Sequence, residues 1–152
     1  MLSLQEQYAP HSQCFGCGPA NPQGLQIRSF PQGPWLLCEF HPKPHQAAFK
    51  NMLCGGICGS LLDCHSNWTA AYYLMQKAGQ SELPCTVTAE YTVKLLAPTP
   101  MNGPIHLKAQ VLESTHRKAL VEASLEVDGT ITVTCVGTFV AVKEGHPAYH
   151  RW

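Results

Sequence analysis

The chain has 152 residues, with 45% apolar and only 13% charged side chains, equal numbers of acidic and basic groups, and eight histidines counted as neutral. That length suits one compact domain with a real core, and the composition is globular rather than disordered. A net charge of zero argues against a nucleic-acid binder, which would show a basic stripe. The first seven residues hold no basic region followed by an apolar stretch, and no apolar run in the chain is long enough for a bilayer span, so the cytoplasm is the expected compartment. Of the eight cysteines, Cys38, Cys58 and Cys135 sit inside apolar segments, where they read as small buried hydrophobes in a reducing environment.

In chain order, residues 1–23 are punctuated by Pro10, Gly16, Gly18, Pro19 and Pro22, and read as an irregular segment laid over the domain. Two short strands are predicted over 25–30 and 35–40, separated by the turn chemistry of Pro31-Gln32-Gly33-Pro34. Residues 41–54 read as a loop ending at Cys54. From Gly55 to about Lys77 the apolar residues Ile57, Leu61, Leu62, Trp68, Ala71, Tyr72 and Met75 recur at helical steps, and Gly79 marks a stop. After residue 84 the pattern is β. Val87, Ala89, Tyr91, Val93 and Leu95 alternate with Thr86, Thr88, Glu90, Thr92 and Lys94. Further strands are expected over 104–113, from 119 to 127, and, after the tight turn Asp128-Gly129, over 131–142. The residues after 142 are a tail without periodicity. One helix beside six strands implies a single α+β domain over 1–152: a curved, mostly antiparallel sheet of five to six strands wrapped around the helix. A second subunit would cover the remaining surface.

The chemistry concentrates in Cys54-Gly55-Gly56-Ile57-Cys58-Gly59-Ser60-Leu61-Leu62-Asp63. Two glycines open the helix where its unpaired amides point outward, and such an end stabilises developing negative charge. Asp63 follows two apolar residues; a carboxylate in an apolar stripe has a raised pKa suited to base or nucleophile work. Eight residues of helix rise roughly 12 Å, too far for one chain's Gly55 and Asp63 to serve one carbonyl. Two antiparallel helices crossing near Gly59 and Ser60 would bring Gly55 of one subunit to Asp63 of the other. The plain alternative is a loop glycine pair and a solvated aspartate.

Cys14-Phe15-Gly16-Cys17-Gly18-Pro19-Ala20-Asn21-Pro22-Gln23-Gly24-Leu25, the Gly55-Gly56 pair with Leu61-Leu62-Asp63 at its spacing, and the stretch from Val93 to Ala97-Pro98-Thr99-Pro100 together resemble the hot-dog-fold thioesterase superfamily, in its phenylacetic-acid-pathway and mitochondrial thioesterase-like branch. The resemblance implies an acyl-CoA thioesterase working as a dimer or dimer of dimers, without metal or cofactor beyond the CoA of its substrate. It implies that the Gly55 N–H, with Gly56 beside it, binds the oxyanion. Asp63 would act as base or nucleophile, and Thr88 would stand near the water or substrate. Cys54 departs from the histidine usual before the glycines, which keeps a non-catalytic acyl-CoA or small-ligand binding module open as the alternative. Cys54 itself, at a helix N-terminus, is a minor candidate nucleophile. Cys54 and Asn67 are candidates for substrate contact, and Arg117 and Lys118, in a turn with His116, for the phosphates of CoA. His65 reads as a surface or interface residue. Cys14 and Cys17 form half of a zinc pattern that Cys54 and Cys58 would complete, although a packing clasp is the simpler use. Trp68, Tyr72 and Tyr73 read as core, with an aryl or acyl pocket as the alternative.

Overall fold

The computed structural model describes all 152 residues. A short helix α1 (Leu4–Tyr8) comes first, followed by strands β1 (Phe30–Gln32) and β2 (Trp35–Phe40). A 3-10 turn (Pro44–Gln46) leads into a two-stranded ribbon, β3 (Ala47–Phe49) and β4 (Met52–Leu53). The central helix α2 (Gly55–Ala78) is followed by four long strands: β5 (Thr86–Leu95), β6 (Ile105–Ser114), β7 (Lys118–Val127) and β8 (Thr130–Ala141). The main sheet is six-stranded and wholly antiparallel, ordered β1-β2-β6-β7-β8-β5. This is the expected α+β architecture of one long helix against one sheet.

Strands β2, β6, β7 and β8 bury alternate residues along much of their length. Ile105, Leu107 and Ala109 of β6, Ala119 to Val127 at every second position of β7, and Val133, Cys135 and Phe139 of β8 all face inward and are buried. They close on α2, which lies against β5, β6, β7 and β8 and buries Leu61, Leu62, Trp68, Ala70 and Leu74 among them. Because α2 is packed on several sides, the buried set includes His65, Asn67 and Thr69 along with the apolar stripe. The helix stops at Gly79, which takes a left-handed conformation (φ 64°) while the Gly79 and Gln80 amides reach the carbonyls of Gln76 and Met75. Asp128 and Gly129 both have positive φ in the β7–β8 hairpin, as a two-residue turn of this hand needs.

The structure corrects four local expectations. Residues 25–29 form no strand: Gln26 is left-handed, and the amides of Leu25 and Ile27 donate to the carbonyls of Phe15 and Gly16 instead of to a sheet neighbour. Residues 41–54 are not all loop, since they fold into the 3-10 turn and the β3–β4 ribbon. The N-terminal segment contains α1, started by a capping box in which Ser3 and Glu6 exchange hydrogen bonds. Finally, the alternation along β5 is broken. Thr88 pairs with Phe139 and Glu90 with Thr138, leaving Ala89 as the extra residue of a bulge. A bulge changes which side chains face inward.

Candidate active site

That bulge builds the site. Without it Thr88 and Tyr91 would point to opposite faces. With it, both approach α2. The Thr88 hydroxyl donates to Asp63 Oδ1 at 2.7 Å, and the Tyr91 hydroxyl lies about 4 Å from where a Cβ on Gly59 would stand. Asp63 is half-buried. Burial pushes its carboxyl above the usual range, and the Thr88 hydrogen bond opposes that shift without cancelling it. Cys14 on the N-terminal loop and Arg151 of the C-terminal tail are its nearby charged or chargeable neighbours, acting in opposite directions. Tyr91, 42% exposed, is raised chiefly by desolvation and next by the Asp63 charge. Strict alternation placed Tyr91 in the packed row and hid it from the sequence; the bulge has no clear signature there.

At the other end, Cys54 caps α2 with its carbonyl but its thiol makes no capping bond. The amides of Ile57 and Cys58 take the Cys54 carbonyl, while those of Gly55 and Gly56 meet no acceptor within the chain. Gly56 is exposed and Gly55 half-buried. Beside Gly55 runs an apolar groove of about 350 Å³, whose walls include Phe49, Met52, Leu53, Leu95 and Leu96. Within one chain Asp63 and Gly55 stand eight residues apart on a continuous helix, roughly 12 Å along its axis.

The remaining candidates fall elsewhere. Arg117 lies in the β6–β7 turn and Lys118 opens β7, where Lys118 pairs with Val140 and the Arg117 carbonyl accepts from Ala141. This is the end of the sheet beside the α2 C-terminus, where Lys77 donates to Ser114. Asn67 lies four residues after Asp63 and shares its helix face, but it is buried and not an open substrate contact: its amide donates to the Thr86 carbonyl at 3.3 Å. Its Oδ1 and the Thr86 hydroxyl have no partner. His65 is not a surface residue. It is fully buried, with Nδ1 2.9 Å from Ser29 Oγ and Nε2 2.9 Å from the Leu36 carbonyl. Trp68 is core, while Tyr72 and Tyr73 line a separate groove with Trp35 and Val111. Cys54 and Cys58 do not join the N-terminal cysteines; Cys58 faces Thr99, and the thiol that meets Cys14 and Cys17 is Cys64.

The tail is also part of the surroundings. Arg151 donates to the Thr86 carbonyl at 2.8 Å, and Trp152 packs on Trp68 with ring centroids 4.5 Å apart. No helix is long and apolar enough to cross a membrane.

No protein-family model matches the sequence, and no curated protein matches it. Solved structures do. A thioesterase superfamily protein from Shewanella loihica PV-4 is 28% identical, with 82% of this chain and 98% of that one covered and a TM-score of 0.66. Zebra fish thioesterase superfamily member 2 is 17% identical over 81% of this chain and 90% of its own, with a TM-score of 0.65. The Escherichia coli PaaI protein, from the phenylacetic acid degradation operon, is 13% identical over 78% and 81%, also at 0.65. The chain is a hot-dog-fold protein, similar in structure to members of the thioesterase superfamily.

Proposed function

We propose that the chain hydrolyses the thioester of an acyl-CoA. The observation that carries this is Asp63: a half-buried carboxylate with a raised pKa, oriented by the Thr88 hydroxyl, on the helix whose first two amides are free beside an apolar groove. Such a carboxylate holds a water or attacks directly, and free helix-terminal amides stabilise the oxyanion that forms at the carbonyl. On the water route Asp63 takes the proton of the attacking water, the C–S bond breaks, and the free acid and the CoA thiol leave. On the direct route the C–S bond breaks to leave an acyl anhydride on Asp63, and CoA takes up a proton as its thiol. Water then hydrolyses the anhydride to the free acid and restores the carboxylate. The groove beside Gly55 suits an acyl chain, and Arg117 and Lys118 are the cations for the CoA phosphates.

The axial separation of Gly55 from Asp63 exceeds the roughly 3 Å reach of attack, so the reading requires a second copy. Two helices crossing antiparallel at Gly59 and Ser60 would supply Gly55 and Asp63 from different subunits. The apolar Leu95, Leu96 and Phe49, each about 60% exposed, fit a covered surface at that end of the sheet. The test is release of CoA thiol from short, long and aryl acyl-CoAs by the wild type and by Asp63→Asn. Loss of most turnover in a variant that keeps its oligomeric state is the expected result, and unchanged turnover refutes the assignment. A fully active monomer refutes the shared site. Cys54, standing where the family resemblance implies histidine, favours one rival: acyl-CoA binding without hydrolysis, seen as saturable binding with no thiol released.

A further inference from the structure

Three thiols from two distant segments converge beside the carboxylate. Cys14 and Cys17 belong to the N-terminal loop, and Cys64 follows Asp63 on α2. Their Sγ atoms all lie within 4.8 Å of one another, and Cys14 and Cys64 are 3.8 Å apart. We infer that Cys14, Cys17 and Cys64 form a zinc site that clasps the N-terminal loop to α2.

The spacing is that of a metal site. With Zn–S bonds of about 2.3 Å, two sulfurs on a tetrahedral zinc stand about 3.8 Å apart. A disulfide between Cys14 and Cys64 would need those sulfurs to close to about 2.0 Å and would leave the third thiol without a role. The loop is shaped for the cluster as well. The amides of Gly16 and Cys17 point at Cys14 Sγ, and Gly18 closes a turn on the Cys14 carbonyl. Gly16 passes so close to Cys64 that a Cβ there would overlap its sulfur, so residue 16 must lack a side chain. Trp68 Nε1 donates to Cys17 Sγ at 3.1 Å, holding a second ligand by an outer partner as metal sites do. No fourth cysteine, histidine or carboxylate joins the three, which leaves the fourth position to water. Binding releases the thiol protons to solvent and involves no change of oxidation state.

Zinc here would tie the loop to the helix one residue from Asp63, independently of what Asp63 does. The full chain is purified under reducing conditions, stripped with a chelator, desalted, and titrated with Zn²⁺ against a chromophoric chelator and separately with Co²⁺. One tightly held Zn²⁺ per chain is expected, with cobalt giving tetrahedral bands and sulfur charge transfer. Cys14→Ser and Cys64→Ser should lose tight binding, while Cys85→Ser, away from the cluster, keeps it. Failure of the wild type to compete for Zn²⁺ overturns the inference, as does Cys64→Ser binding like wild type. A Cys14–Cys64 disulfide whose reduction yields no metal binding also overturns it. If the serine variants do not fold, the wild-type cobalt spectrum decides: octahedral bands without sulfur charge transfer reject the site.

Discussion

Acidification should loosen the fold through one imidazole. His65 is enclosed by α2, β2 and the segment before β1, and its hydrogen bonds fix its proton. Nε2 faces the Leu36 carbonyl and must donate, so Nδ1 accepts from Ser29 Oγ, which in turn accepts from Gln5 Nε2 at 2.9 Å. A second proton, on Nδ1, would reverse the bond to Ser29 Oγ and turn the Ser29 hydroxyl proton away from its acceptor. Burial accordingly lowers His65 from an ordinary 6.5 to about 4, against a smaller opposing effect of the Leu36 hydrogen bond. Above pH 6.5 neither folded nor unfolded chain binds that proton. Below it only the unfolded chain does, so stability falls with pH at ~1.4 kcal/mol per pH unit, reaching about 3 kcal/mol near pH 4. The other seven histidines are exposed. The carboxylates with altered affinity, Glu6 lowered and Asp63 raised, act with opposite signs. Urea unfolding at fixed protein concentration should therefore lose roughly 2 kcal/mol between pH 7 and 5, a midpoint shift of about 1 M. His65→Leu should be less stable at pH 7, because it orphans the Leu36 carbonyl at a cost of about 1–3 kcal/mol, but its pH slope over that interval should nearly vanish. An equal slope in the variant, or a flat wild type, would refute the reasoning.

Thr88→Val keeps the shape of the side chain and removes the 2.7 Å bond to Asp63. A hydrogen bond to a charged group is worth ~1.5–3 kcal/mol, so kcat for thioester hydrolysis should drop roughly ten- to a hundred-fold without loss of the fold by circular dichroism. Gly137→Ala would place a Cβ at 2.9 Å from Phe139 Cε2 and 3.1 Å from Tyr91 Cβ; a stability loss of about 1–3 kcal/mol is expected in thermal melts. Trp152→Ala removes the ring against Trp68 and the bond to the Pro84 carbonyl. Chemical denaturation should register a loss of about 1–3 kcal/mol, with altered Trp68 fluorescence in the native baseline.

Much of this architecture was legible because its signals are local. The helix runs from its glycine pair to Gly79, and β5 to β8 fall within a residue or two of their alternating patterns. Asp63 and Gly55 stand out by spacing and by resemblance, and Thr88 by resemblance alone. What the sequence concealed depends on pairing between distant segments. The Ala89 bulge exists only in the register of β5 on β8, and through it Tyr91 turns toward Asp63. A lone histidine on a helix is ordinarily wet, whereas the burial of His65 depends on Ser29 and Gln5 from another part of the chain. The i, i+4 spacing of Cys54 and Cys58 puts both on one helix face and suggests them as the second half of a four-thiol set, whereas the thiol that meets Cys14 and Cys17 is Cys64, brought in by the fold of the N-terminal loop. The capping box of α1 lies within the segment expected to be irregular, although Ser3 followed three residues later by Glu6 is its signature.

The strand order also says something about how this molecule reaches its folded state. β6, β7 and β8 are neighbours joined by short turns, so their pairing closes only small loops. β2 must instead meet β6 with the whole of α2 and β5 lying between them in sequence, and β5 reaches β8 only by skipping the two strands that separate them. Each such pairing spends chain entropy before it gains contacts. The three-stranded meander is thus the natural nucleus, and the helix supplies the surface on which the two flanks settle. The bulged strand whose Thr88 bonds Asp63 joins late, so the candidate site is completed among the last steps of folding.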